Sequence, residues 1–317
     1  MSKFFKALEQ AERDRALQQR GAAPTGDDPA VMPTPEVETA EPVTLQHPPA
    51  DSVDGVDDHL VSLVAPATFE AEQYRALRHI VEQLHKAHDL RVVAVSSPGV
   101  GDGKSTTAIN LAGALAQALD ARVLLVDADL RRPAVANLLA LGASDGPGLV
   151  NAILDPSLTL ERVARPRPPF NLSVIPAGQE PPSPYEVLKS PRLGELLDEA
   201  RRSYDYIVVD APPLCPVQDC RVIAHWVDGF LLVVAAHRTP RQLVEEALNV
   251  VERSKVLGFI FNGDDQPASA HSGYYGYHGY YGGNGAANRA SLNGHGRLGR
   301  TVTRVGQMLQ RRRGGGR

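Results

Sequence analysis

Lys104 and Ser105 close a glycine-punctuated stretch, Arg91 to Thr107, that reads RVVAVSSPGVGDGKSTT. Gly99, Gly101 and Gly103 let a backbone approach phosphate oxygens that a Cβ would fend off. In such a loop the Lys104 ammonium lies against β- and γ-phosphates, and the Ser105 hydroxyl is a ligand for Mg²⁺. The expected nucleoside triphosphate cradle is therefore Gly99, Val100, Gly101, Asp102, Gly103, Lys104, Ser105 and Thr106. The strict pattern has glycine five places before Gly103, where this chain has Pro98. Asp127 and Asp129 end VLLVDAD, and Asp210 ends YIVVD. Phosphoryl transfer needs Mg²⁺ to neutralise charge and a place for the acceptor's proton. Asp210 is expected as the outer-sphere magnesium anchor, and Asp127 and Asp129 as a base and a second metal contact. Arg131 could steady phosphate or a neighbouring acid, or be an ordinary surface arginine; the residue alone does not decide between them. A single Asp at a strand end is ordinarily a turn or a cap; three beside a phosphate loop are the makings of a reaction centre.

Positioning these groups requires strands that end where they stand. The β-branched runs RVVAVS, ARVLLVD, NLSVI, YDYIVVD, GFLLVVAA and KVLGFIFNG read as buried strands. Helical patterns separate them: AINLAGALAQAL, Pro133–Asp155 with a break at Gly142–Gly148, Pro184–Ser203, and TPRQLVEEALNVVERS. Before the loop strand, LVSLV alternates like a short strand and FEAEQYRALRHIVEQL reads as a helix. Strands alternating with helices predict an α/β fold, a mostly parallel sheet covered on both faces, with ligand-handling residues at the strands' carboxyl ends. Glu72, Arg75 and Arg78 fall near one stripe of the helix before the loop strand; a solvated charged face is the ordinary meaning of such a stripe. Cys215, Cys220 and Trp226 are expected in or near the core, since C-x₄-C is no metal spacing.

The 317 residues allow one domain of roughly 200 residues plus tails. Residues 1–17 read as a short amphipathic helix. Residues 18–58 read as an acidic, Pro-rich disordered linker; from 21 to 60 there are nine Asp/Glu, seven Pro and no Lys or Arg. The folded part is expected over 59–265. From 266 to the end come eight Arg and no acid, and Tyr274, Tyr275, Tyr277, Tyr280 and Tyr281 crowd into HSGYYGYHGYYGGNG. Glycines there oppose regular structure. The basic end, TVTRVGQMLQRRRGGGR, has the composition to touch acidic lipid. Two cysteines give no disulfide framework, which fits a reducing cytoplasm. No run of 18 apolar residues is present, so no membrane span is expected.

VSSPGVGDGKST, VLLVDADLRRP and YIVVDAPP resemble the Walker A, second A-type and Walker B motifs of the bacterial tyrosine autokinase (BY-kinase) family, in its soluble capsule and exopolysaccharide type. The likeness runs from about Leu60 to the tyrosine cluster. It implies a P-loop NTPase fold of the deviant-Walker, MinD/ParA-like kind, with disordered tails. It implies ATP and Mg²⁺ held by Lys104 and Ser105, a tyrosine proton accepted by Asp127, and a metal organised by Asp129 and Asp210. By analogy with related deviant-Walker ATPases, Asn262 bonds the adenine. Glu72-x-x-Arg75-x-x-Arg78 matches the family's subunit-packing motif, implying a ring homo-oligomer, an octamer by resemblance. The tyrosine cluster matches the family's autophosphorylation tail. The eleven residues from Gly263 to Gly273 reach roughly 36 Å when extended, at about 3.3 Å each, enough to enter a neighbour's site. The resemblance further implies a cytoplasmic protein held at the inner membrane by a separate co-polymerase activator, a phosphatase that resets it, and no nucleic-acid partner. In the family Pro usually precedes the Gly-x-Gly-Lys; Val100 stands there.

Two other readings cover part of the pattern. A positioning or partition ATPase of the same class would carry a lysine five residues before Lys104, where this chain has Gly99. A non-catalytic nucleotide-binding subunit of an export complex would leave the tyrosine cluster without a purpose.

Overall fold

In the computed structural model the described residues are 55–142, 146–263 and, as backbone, 304–306. The expected N-terminal helix, nearly all of the acidic linker, and the tyrosine cluster with its basic end lie outside them. An eight-stranded sheet runs in the order β3-β4-β2-β5-β1-β6-β7-β8. Its strands are β1 (Val92–Ser96), β2 (Val123–Asp127), β3 (Arg165–Pro166), β4 (Leu172–Ile175), β5 (Tyr206–Asp210), β6 (Gly229–Ala235), β7 (Val256–Asn262) and β8 (Arg304–Gly306). The six from β4 to β7 are parallel, while β3 and β8 close the edges antiparallel. β1, β2 and β6 are buried along their whole length, as the continuous apolar runs require of strands covered on two faces. Two apolar cores result, one on each face.

Helix α1 (Val61–Val64) stands where the alternation of LVSLV predicted a strand. Four residues are too short for periodicity to decide. Tertiary contacts decide instead: Leu60 and Leu63 are buried, each worth about 1.5–3 kcal/mol. The Ser62 amide donates to Asn110 Oδ1, and Gln117 donates to the Ser62 carbonyl. Helix α2 (Phe69–His88) is capped by Thr68 and buries Ala71, Tyr74, Leu77, Val81 and Leu84, a three-four repeat that lays one stripe on the core. Helix α3 (Lys104–Leu115) is buried at every position from Thr107 onward, because α1 and α2 cover the side that the sheet does not.

The remaining helices are α4 (Val135–Leu138), α5 (Leu149–Leu154), α6 (Leu160–Val163), α7 (Pro184–Lys189), α8 (Pro191–Ser203), α9 (Asp219–Ile223) and α10 (Arg241–Ala247). Pro191 splits the predicted Pro184–Ser203 helix into α7 and α8, and α10 is shorter than its pattern suggested. Cys220 is buried, and Trp226, half-buried, lies across Gly194 of α8, where a Cβ would collide with its ring.

Candidate active site

β1 ends at Ser96, and the loop that follows turns through left-handed backbone at Gly101 (φ 84°) and Gly103 (φ 96°) before α3 begins. Both positions favour glycine on conformation alone. At Gly103 a Cβ would also collide with the Asn262 amide. The loop is tied from within: Asp102 accepts from the Gly99 amide at 3.1 Å, and Ser97 donates to the Gly99 carbonyl at 2.6 Å. It is also tied from outside by the segment after β6. Thr239 donates to Asp102 at 2.7 Å, and Arg238 donates to the Gly101 carbonyl at 2.6 Å. Asn262, at the end of β7, donates to the Asp102 carbonyl at 3.0 Å, and its Oδ1 is buried without a partner.

Beside the loop, β2 and β5 run in register, so Asp127 and Asp210 stand side by side at their ends. Lys104 reaches across to Asp129 at 2.7 Å and to Asp210 at 3.2 Å, and donates to the Ser105 hydroxyl at 3.1 Å. Asp127 and Asp210 are fully buried and Asp129 nearly so. Burial pushes the Asp127 carboxyl up to about 8, and the Asp210 charge adds to it. Burial also raises Asp210, against the pull of Lys104. Burial works against the Lys104 charge, yet Asp210 and Asp129 outweigh it and hold the ammonium above its ordinary value. Asp127 accepts the Asp129 amide on one oxygen and the Val135 amide on the other, so it also organises the turn into α4. Asp210 Oδ2 is buried with no hydrogen-bond partner.

Three buried acids face one ammonium, two of them raised by burial and for want of positive charge, and the donors are all oxygen, including Ser105. That set suits a hard divalent cation such as Mg²⁺, which needs few protein ligands because water and phosphate complete its shell. Among the described residues no three acid, His or Cys side chains form an all-protein metal cage.

Arg131 forms a two-pronged pair with Asp219, Nε to Oδ2 at 2.6 Å and Nη2 to Oδ1 at 3.0 Å. Asp219, buried at the start of α9, was missed by the sequence reading, as were Arg238, Thr239 and Asp228. Asp228 accepts the amides of Arg91 and Val92 and so fixes the start of β1. Glu72, Arg75 and Arg78 lie on α2, away from the aspartates. Arg75 pairs with Glu72 and donates to the Pro66 carbonyl, while Arg78 pairs with Glu82 and donates to the Ala114 carbonyl of α3.

A glycine loop feeding a helix, with its lysine held against aspartates at the carboxyl ends of parallel strands, defines a P-loop nucleotide-binding protein. A family described as AAA domain matches residues 90–224. Tyrosine-protein kinase YwqD of Bacillus subtilis is 34% identical over 68% of this chain and 91% of its own length. Succinoglycan biosynthesis transport protein ExoP of Rhizobium meliloti is also 34% identical, but the match covers 63% of this chain and only 26% of that longer protein. Among solved structures, the kinase domain of the Escherichia coli tyrosine kinase ETK superposes with a TM-score of 0.60 at 31% identity, over 69% of this chain and 84% of that one. The chain belongs to the bacterial tyrosine-protein kinase family and is a protein-tyrosine kinase.

Proposed function

We propose that the chain transfers the γ-phosphate of ATP to its own tyrosine cluster, Tyr274, Tyr275, Tyr277, Tyr280 and Tyr281, in a neighbouring subunit of a ring. The observation that carries this reading is Lys104 held at once to Asp129 and Asp210, with Asp127 alongside. Ser105, Asp129 and Asp210 would hold Mg²⁺, which when bound screens the charge of the transferring phosphoryl group. Lys104 binds the β- and γ-phosphates, and the glycine loop presents its amides to them. A tyrosine hydroxyl, with a pKa of about 10, needs a base at neutral pH. Asp127, side by side with Asp210 at the ends of β2 and β5, is assigned that role by its position. Asn262 stands against the loop and is assigned the adenine edge, with its unpartnered Oδ1 free to accept a donor.

Glu72, Arg75 and Arg78 are assigned to the contact between subunits. Tethering the tail within a ring raises its effective concentration to about the millimolar range. Among the described residues no helix is long and apolar enough to cross a membrane. ExoP carries its matching region within a much longer transport protein. A separate membrane co-polymerase would supply here what the remainder supplies there, holding the chain at the cytoplasmic face of the inner membrane and coupling phosphorylation to polysaccharide assembly. A phosphatase would reset the tail.

The test mixes two chains, neither of which can label itself. Lys104→Met keeps its tail but loses catalysis, and a chain with the five clustered tyrosines changed to Phe keeps catalysis but lacks acceptors. Phosphotyrosine appearing on the Lys104→Met chain only in the mixture is the expected result. A mixture that stays unphosphorylated, while the intact chain labels itself, would refute transfer between subunits.

A further inference from the structure

Without β8, β7 would be the open edge of the sheet. Arg304–Gly306 pairs antiparallel along it, with Arg304 opposite Phe261, Val305 opposite Ile260 and Gly306 opposite Phe259. An uncovered edge offers unpaired amides and carbonyls to any extended chain. Here the chain's own far end takes them, in the manner of a peptide added as an extra strand. The polarity of the pair fixes where the intervening residues attach. β7 runs out at Asn262, whose side chain donates to the Asp102 carbonyl of the phosphate loop. Antiparallel β8 starts level with Phe261, next to that point. The stretch from Gly263 to Thr303, which carries all five clustered tyrosines, is therefore anchored at both ends beside the phosphate loop.

We propose that the outer edge of β7 is a strand-docking site for the chain's own Arg304–Gly306, and that docking presents the tyrosine cluster from two anchors rather than from a free end. Reach permits it. Tyr274 lies eleven residues from Gly263, and Tyr281 lies 18 from Gly263 and 23 from Arg304. Extended, these arms span roughly 36, 59 and 76 Å at about 3.3 Å per residue. For every tyrosine of the cluster the shorter arm is the one from Gly263, so the second anchor takes no reach from it. What the second anchor removes is conformational freedom. The cost of joining two ends grows only slowly with the length between them, so the 40 intervening residues do not forbid the pairing. Pairing over Phe259–Phe261 alone makes few hydrogen bonds, each of modest net worth, and this keeps the docking reversible. A second copy's segment has the same backbone groups to offer. The chain's own segment is the more concentrated occupant, because its connection to β7 starts and finishes at one end of the pair.

The two-anchor presentation rests on the kinase reading; the docking does not, and the experiment separates them. Phe261→Cys and Arg304→Cys stand at paired positions, where opposite Cα atoms lie about 4.5–5.5 Å apart, within disulfide range. The full chain carrying both is oxidised, and its proteolytic peptides are mapped by mass spectrometry. The expected result is a disulfide between these positions within one chain, and none when the two singly substituted chains are mixed. No such disulfide, or one that joins two chains, overturns the docking. The oxidised and reduced forms are then incubated with ATP and Mg²⁺. Both should label the tyrosine cluster, at rates within about threefold of each other. A larger fall in the oxidised form, restored by reduction, overturns the two-anchor presentation, because the strand would then have to leave before transfer. If both forms bind ATP and neither gains phosphotyrosine, the kinase reading fails and the presentation with it, while the disulfide still establishes the docking.

Discussion

At the residue scale the site is built against its own stability. Asp127, Asp129 and Asp210 crowd into a buried space with Lys104 as their one ammonium partner, and burial and mutual repulsion raise two of the three. Such strain persists where function needs it. Asp210→Asn should therefore stabilise the nucleotide-free protein while abolishing phosphoryl transfer. A gain of about 1 kcal/mol corresponds to a melting temperature higher by about 2–4 °C in a domain of this size. Calorimetry checks it, and a lower melting temperature in the variant would show that the Asp210–Lys104 pair outweighs the repulsion. Lys104, Ser105 and the three aspartates were legible because each lies at a fixed offset from a strand or from the glycine loop. Asp219, Thr239 and Asp228 were not. Their partners Arg131, Asp102 and Val92 stand 88, 137 and 136 residues away, and only the sheet order brings them together.

At the element scale, the strands were readable because buried parallel strands are written as unbroken β-branched runs. α1 was misread because Leu60 and Leu63 owe their burial to α3, which no local pattern records. The antiparallel edges β3 and β8 went unseen: two or three residues carry no period. The start of β1, which aims the phosphate loop, depends on Asp228. Burial works against that carboxylate, but Arg201 and the amides of Val92 and Arg91 outweigh it and hold it below the ordinary range. A depressed carboxyl contributes stability that is present above its unfolded value, about 3.9, and is lost as pH falls through the folded one. Asp228→Asn should thus cost about 2–3 kcal/mol at pH 7. The gap to the parent should close as the pH drops below about 3.9. Urea titrations at both pH values measure this, and a gap independent of pH would mean that the clamp works without its charge.

At the scale of the whole molecule, an acidic stretch, a catalytic domain and a tyrosine-rich, basic end are joined in one chain. Each phosphate adds about −1.5 to −2 charges to the tail. Several of them on neighbouring tails repel one another, so phosphorylation should dissociate the proposed ring. Sedimentation velocity of the two forms should show a smaller particle after phosphorylation; identical masses would remove the assembly cycle and leave the kinase intact.

The most direct measurement is mass spectrometry of the purified full chain after incubation with ATP and Mg²⁺, alongside Lys104→Met. The expected result is phosphate on Tyr274, Tyr275, Tyr277, Tyr280 or Tyr281 in the parent and none in the variant. Nucleotide bound but no phosphotyrosine formed, or equal phosphate on both proteins, would contradict the account.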